Sequence, residues 1–166
     1  GSVCWNPLDE IRLATENEVG DVQNLATLIV DPDGKGLDSH WQKTAFALLV
    51  GVILHALYKA QADGTYATLP SVDAMLADPN RDVGELWMEM ATYGHVDGQN
   101  HHAIGSAARA MMDRPEEEAG SVLSTAKSYL SLYRDPVVAR TVSKSEFRFK
   151  DLMHQDDPAS LSIFTQ

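Results

Sequence analysis

The chain has 166 residues, 44% of them hydrophobic and 22% charged, with a formal net charge of -11. That length and apolar content support one domain with its own core and exclude wholesale disorder. The acidic excess opposes a general phosphate-binding surface, because such affinity comes from Lys and Arg displacing counterions, and makes cationic partners the natural expectation.

In chain order, Gly1-Ser2 reads as a cloning scar, and no basic segment followed by an apolar one opens the sequence in the manner of a signal peptide. The single Cys4 can form neither an internal disulfide nor a thiolate zinc site by itself, which fits a reducing compartment. Val19, Val22, Ala26, Ile29 and Val30 keep one face of a helix beginning near Glu16, which Asp31-Pro32-Asp33-Gly34 stops. Ser39-His40-Trp41-Gln42 has the spacing of a capping box and starts the longest helix, from about Ser39 to about Gln61. Its middle, Ala45 to Tyr58, is apolar nearly all round but shorter than the roughly 20 residues that cross a bilayer, and it carries His55. A central core helix is therefore expected, with Ala47, Leu48, Val50, Leu54 and Leu57 buried.

Ala62 to Pro70 reads as a loop, followed by a short helix near Val72 to Ala77 that ends at Asp78-Pro79-Asn80. Asp82 and Glu85 open another helix. Asn100 is expected to cap one whose Ile104, Ala107, Ala108, Met111 and Met112 form a stripe. Asp113-Arg114-Pro115-Glu116 divides it from a last long helix carrying Val122, Ala126, Tyr129, Leu130 and Tyr133, which stops before Asp135-Pro136. Only Ser160 to Gln166 alternates like a strand. The fold class is thus all-α: a compact multi-helix bundle around one long central helix, spanning residues 3–159.

Candidate chemistry is sparse. Gly34-Lys35-Gly36 lacks the spacing and the hydroxyl of a P-loop, and counting from Asp31 puts Gly34 and Gln42 where an EF-hand needs other positions, so Asp31 to Ser39 reads as a polar turn. His95, His101 and His102 cluster near Asp97 and Asp113, but adjacent helical histidines point about 100° apart and no H-E-x-x-H spacing exists. They read as loop and helix-start residues, with His40 and His55 too isolated in sequence to join them. Ser121, Ser124 and Cys4 have no nucleophile context, and Trp41, Trp87 and the tyrosines read as core or interface anchors. No catalytic residue, metal ligand or cofactor is assigned.

From Trp5-Asn6-Pro7-Leu8-Asp9-Glu10-Ile11-Arg12, through ATLIVDPDGKGLDSHWQKTAFALLVGVILHALY, LADPN (Leu76 to Asn80) and VLSTAKSYLSLYRDPVVAR (Val122 to Arg140), to FRFKDLM (Phe147 to Met153), the chain resembles the TraG/TraD-like coupling ATPases. In that family a membrane-anchored hexameric ATPase couples relaxase-DNA substrates or effector proteins to a type IV secretion channel, and its RecA-like domain is interrupted by an all-helical insertion. The resemblance is to that insertion. It implies a cytoplasmic position below the bacterial inner membrane without direct membrane contact, and docking of cargo or relaxosome proteins. Residues 160–166 would begin the strand that returns to the ATPase domain, although Phe164-Thr165-Gln166 departs from the family's small apolar, proline-rich continuation. Neither a Walker A loop nor a Walker B acid is present, so no ATPase activity carries over to these residues.

Two binding surfaces are expected. An acidic one, for relaxase, relaxosome or effector proteins with basic signals, comprises Asp9, Glu10, Glu16, Glu18 and Asp21 with Asp113, Glu116, Glu117 and Glu118. The alternative is a basic one, Arg134, Arg140, Lys144, Arg148 and Lys150, contacting nucleic acid or the parent ATPase domain.

Overall fold

The computed structural model describes residues 3–145, which form seven α-helices and two 3-10 turns; among them the one β feature is an isolated bridge, Val96 to Gln99. The helices are α1 (Glu18–Val30), α2 (His40–Asp63), α3 (Leu69–Ala77), α4 (Val83–Thr92), α5 (His102–Asp113), α6 (Glu116–Leu130) and α7 (Pro136–Thr141). The 3-10 turns are Pro7–Glu10, before α1, and Ser131–Arg134, between α6 and α7.

α2 organises the rest. The expected capping box forms: Gln42 N–H donates to Ser39 Oγ at 3.1 Å, and Ser39 N–H donates to Gln42 Oε1 at 3.2 Å. Gly64 ends the helix in the left-handed region at φ 69°, its N–H returning to the carbonyls of the last turn. Every residue from Leu48 to Ala56 is buried, a stretch longer than two helical turns, so no face of this segment meets solvent. α1, α5 and α6 pack along it, α4 packs on α5, and α3 bridges α6 and the second 3-10 turn. By length and composition α2 could cross a bilayer, yet 67% of its most apolar stretch is buried inside the bundle, as expected of a core helix. Leu48, Val50 and Leu54 are buried and Leu57 is half-buried. Ala47 is exposed, contrary to expectation, because the wrapping closes only from Leu48 onward.

Two boundaries differ from the sequence reading for local reasons. α3 starts before Pro70, since Thr68 and Ser71 form a second capping box and proline is tolerated in the first turn, where its missing N–H has no helical partner. His101, not Asn100, caps α5: its Nδ1 accepts the Ala103 N–H at 3.1 Å. The Asn100 amide instead donates to the carbonyls of Met90 and Tyr93 at 2.8 and 3.0 Å, tying off the end of α4. The Asp31 turn is polar as expected, the carboxylate accepting the N–H groups of Lys35 and Gly36. The expected strand at residues 160–166 lies outside the described residues.

The two ends of the described chain meet. Trp5 N–H donates to the Thr141 carbonyl at 2.8 Å, Asn6 N–H to Ser145 Oγ at 3.1 Å, and the Ser145 hydroxyl to Asp9 at 2.6 Å. Asn6 is itself buried, its amide donating to the Ala67 carbonyl at 2.9 Å.

α2 packs closely on α5. A Cβ placed on Gly51 would lie 2.5 Å from Ala107 Cβ, whereas one on Gly20, in α1, meets nothing within 4 Å. Gly51→Val is therefore expected to lower unfolding free energy by about 1–3 kcal/mol through overpacking, and Gly20→Ala to raise it by about 0.4–1 kcal/mol by restricting the unfolded chain. Urea unfolding of the two variants checks both signs; a Gly51→Val midpoint equal to that of the parent would contradict the close packing.

Candidate functional site

The acids that the sequence reading grouped separate into two sets. Near the N-terminus most are occupied. Asp9 accepts the Ser145 hydroxyl, and Glu10 accepts the Trp5 indole N–H at 3.3 Å. Asp21 is held by Arg12 through its backbone N–H, Nε and Nη2 at 3.0, 3.0 and 2.8 Å. Those bonds hold the Asp21 carboxyl below the usual carboxylate range. Glu18 does not belong to a surface: it is 7% exposed, accepts the Tyr58 hydroxyl at 2.5 Å and faces His101 Nε2 at 3.4 Å. Of this set only Glu16 is exposed and outside the ion pairs formed among the described residues.

The second set stands free. Asp113 ends α5, and Glu116, Glu117 and Glu118 fill the first turn of α6, where the helix dipole favours negative charge. All four are exposed, and none joins an ion pair among the described residues. Beside them a groove of about 430 Å³ opens between the start of α4 (Asp82, Val83, Gly84, Trp87), the end of α5 (Met111, Met112, Arg114) and α6 (Glu116, Ala119, Gly120, Leu123).

The basic set thins out. Arg134 makes a two-pronged ion pair with Asp73, at 2.9 and 3.1 Å, that ties the second 3-10 turn to α3. Arg140 and Lys144 are exposed, and Arg148 and Lys150 lie outside the described residues.

The structure also assembles a cluster that sequence spacing did not reveal. His55, fully buried in α2, meets His95 of the α4–α5 loop and Glu89 of α4, while Glu18 of α1, Tyr58 of α2 and His101, the cap of α5, meet beside it. The proton positions follow from the partners. The His101 backbone N–H points at His95 Nδ1, 3.2 Å away, so the His95 proton sits on Nε2 and is donated to His55 Nδ1 at 2.8 Å; His55 Nε2–H then donates to Glu89 at 2.6 Å. His101 Nδ1 is taken by the Ala103 N–H, which leaves Nε2–H for Glu18.

Charge around this cluster is balanced. Burial pushes the Glu89 carboxyl up, but hydrogen bonding from His55, with Arg81 and Lys59 at 3.5 and 3.8 Å, outweighs it and leaves the group below its usual range. Burial pushes His55 down against the pull of Glu89. His95 is pushed down to about 4, by burial first and then by His55 and His101. The one signal in the sequence was His55 itself, a polar residue inside an apolar run that burial obliges to find partners. No three His, Cys, Asp or Glu side chains among the described residues converge in the manner of a metal site; the cluster is a directed hydrogen-bond chain that ties α1, α2, α4 and α5 together.

That chain sets a pH dependence. Burial holds His95 down at about 4 in the folded chain, below the ordinary imidazole value of about 6.5, so between those values the unfolded chain takes up a proton that the folded ring refuses. Stability should fall as pH drops through that window, by about 1 kcal/mol between pH 7 and pH 5 once solvent screening at this partly exposed ring is allowed for, or about 2–4 °C in melting temperature. Thermal melts of the chain and of His95→Gln across pH 5–7.5 test this. The variant should show the flatter profile; parallel profiles would remove His95 as the cause.

No solved structure matches the chain. It is 89% identical over all 166 residues to a conjugal transfer protein TraG of Escherichia coli and 85% identical to a second protein of that name from the same organism. In both cases it covers 26% of the relative, so the chain spans about a quarter of the length of the curated relatives it matches. A family model described as type IV secretory system conjugative DNA transfer matches residues 1–165. With the match running over nearly every residue and an all-helical bundle beneath it, the chain belongs to that family of type IV conjugation coupling proteins.

Proposed function

We propose that this helical unit is the docking domain of a type IV secretion coupling protein, holding relaxase, relaxosome or effector proteins by basic signals and delivering them to the secretion channel from the cytoplasmic side of the inner membrane. The observation that carries the reading is the exposed cluster Asp113, Glu116, Glu117 and Glu118, which no cation among the described residues neutralises. Such a field draws Lys and Arg of a flexible segment from a distance. Exposed ion pairs add only about 0.2–1 kcal/mol each, so one domain binds weakly, and a hexameric parent gains its grip through avidity. Arg140 and Lys144, exposed and in no ion pair among the described residues, favour a second reading in which this end touches DNA or the parent ATPase domain.

The test is titration of a labelled relaxase C-terminal peptide against the chain and against a triple variant, Glu116→Lys with Glu117→Lys and Glu118→Lys. Reversal should weaken binding by about tenfold at low salt, with the gap closing at high salt, and Glu16→Lys should change it far less. Affinity that ignores both reversal and salt would overturn the electrostatic docking.

Hydrolysis of ATP is expected to belong to other parts of the parent, since this stretch carries no G-x-x-x-x-G-K-[ST] cradle for the phosphates. Purified chain mixed with ATP and Mg²⁺ should release no phosphate above the level of a buffer control. Turnover that follows the protein through purification and disappears on mutating one of its own residues would refute this.

A further inference from the structure

We infer that the groove between α4, α5 and α6 is a socket for one large apolar side chain carried within a cationic segment of the docked protein. The inference rests on the docking reading above and gives it a contact that charge by itself does not supply. Trp87, Met111, Met112 and Leu123 line the groove together with the acids Asp82 and Glu116. Met112 is exposed, while Trp87 and Met111 are nearly buried, so the lining offers a firm apolar floor with one adaptable thioether at the surface.

Charge complementarity decides the kind of occupant. Glu116 belongs to the acidic turn of α6, which Asp113 adjoins, and among the described residues Arg114 is the only cation lining the groove. A segment with acidic residues around its anchor would be repelled, and one with Lys and Arg on both sides would be drawn in. A volume of about 430 Å³ is within the range of sites that enclose small ligands, ample for one aromatic side chain. Apolar anchors in such pockets dominate binding, whereas the surrounding ion pairs set orientation and rate.

Gly120 gives the means of testing this. A Cβ there meets nothing within 4 Å, so Gly120→Leu puts a side chain into the groove without a backbone clash and replaces a helical glycine by a good helix former. The probes are two synthetic peptides, one with lysines and arginines flanking a single tryptophan and one with serine in place of that tryptophan. The chain is expected to bind the tryptophan peptide at least tenfold more tightly, with the Trp87 indole N–H resonance shifting during titration. Gly120→Leu should bring the preference to within twofold while keeping the salt-dependent binding of the serine peptide, and should melt no lower than the parent. A preference that survives in Gly120→Leu, or a Trp87 signal that stays still, would overturn the socket and leave the docking reading standing. If neither peptide binds in a salt-dependent way, and the Glu116→Lys, Glu117→Lys, Glu118→Lys variant behaves like the parent, the docking reading falls as well and takes the socket with it.

Discussion

From Leu48 to Ala56, α2 has no face that water reaches, and the positions of the other helices follow from covering it. A helix apolar all round cannot be stable at a surface, so α1, α5 and α6 must each lay a stripe along it. At Gly51 the cover is close enough that the absent side chain is part of the fit. At His55 the constraint takes another form. A polar ring in the middle of the core costs a few kcal/mol unless it is hydrogen-bonded, and both its nitrogens are satisfied, by His95 and Glu89. The pairing fixes α4 and the loop after it relative to α2, and His101 extends the arrangement to the cap of α5 and to Glu18 of α1. The core helix thus dictates both the apolar packing and the polar chain running through it.

The helices were legible because their signals are local. The Ser39 and Gln42 box, the Pro-containing turns and the apolar periodicities each lie within a few residues, and α2 appears where they put it. Asn100 against His101 shows the limit: both are polar residues at a helix start, and the choice was made by the open carbonyls of Met90 and Tyr93, which only the folded α4 presents. The His55 cluster was illegible for a stronger reason. Its members are separated by up to 83 positions, from Glu18 to His101, and a sequence does not record which faces of α1, α2 and α4 will meet. The grooved side of α6 was half legible, since Glu116, Glu117 and Glu118 are visible as charge, but the floor beside them comes from α4 and α5.

Folding also redistributes the charge that the sequence displays. Of the five N-terminal acids that the sequence reading grouped, Arg12, Trp5, Ser145, Tyr58 and His101 engage all but Glu16. Of the acids grouped in the sequence reading, those left outward besides Glu16 sit at the corner between α5 and α6, where the helix dipole favours their charge. The same process works on the cations, for Arg134 spends both arms on Asp73. Net charge describes the field at long range, while the residues left unpaired after folding decide where a partner can settle.

The bonds joining Trp5 to Thr141 and Asn6 to Ser145 bring the two ends of the described residues to a single spot. A larger fold carrying such a body within its own chain meets it as little more than a hairpin loop, because the bundle has already brought the two connections together. The closure entropy that a flexible segment of equal length would impose on the host is taken up inside the bundle's own folding. In such a fold, two neighbouring connections would leave the bundle's own core intact whatever its tilt against the host.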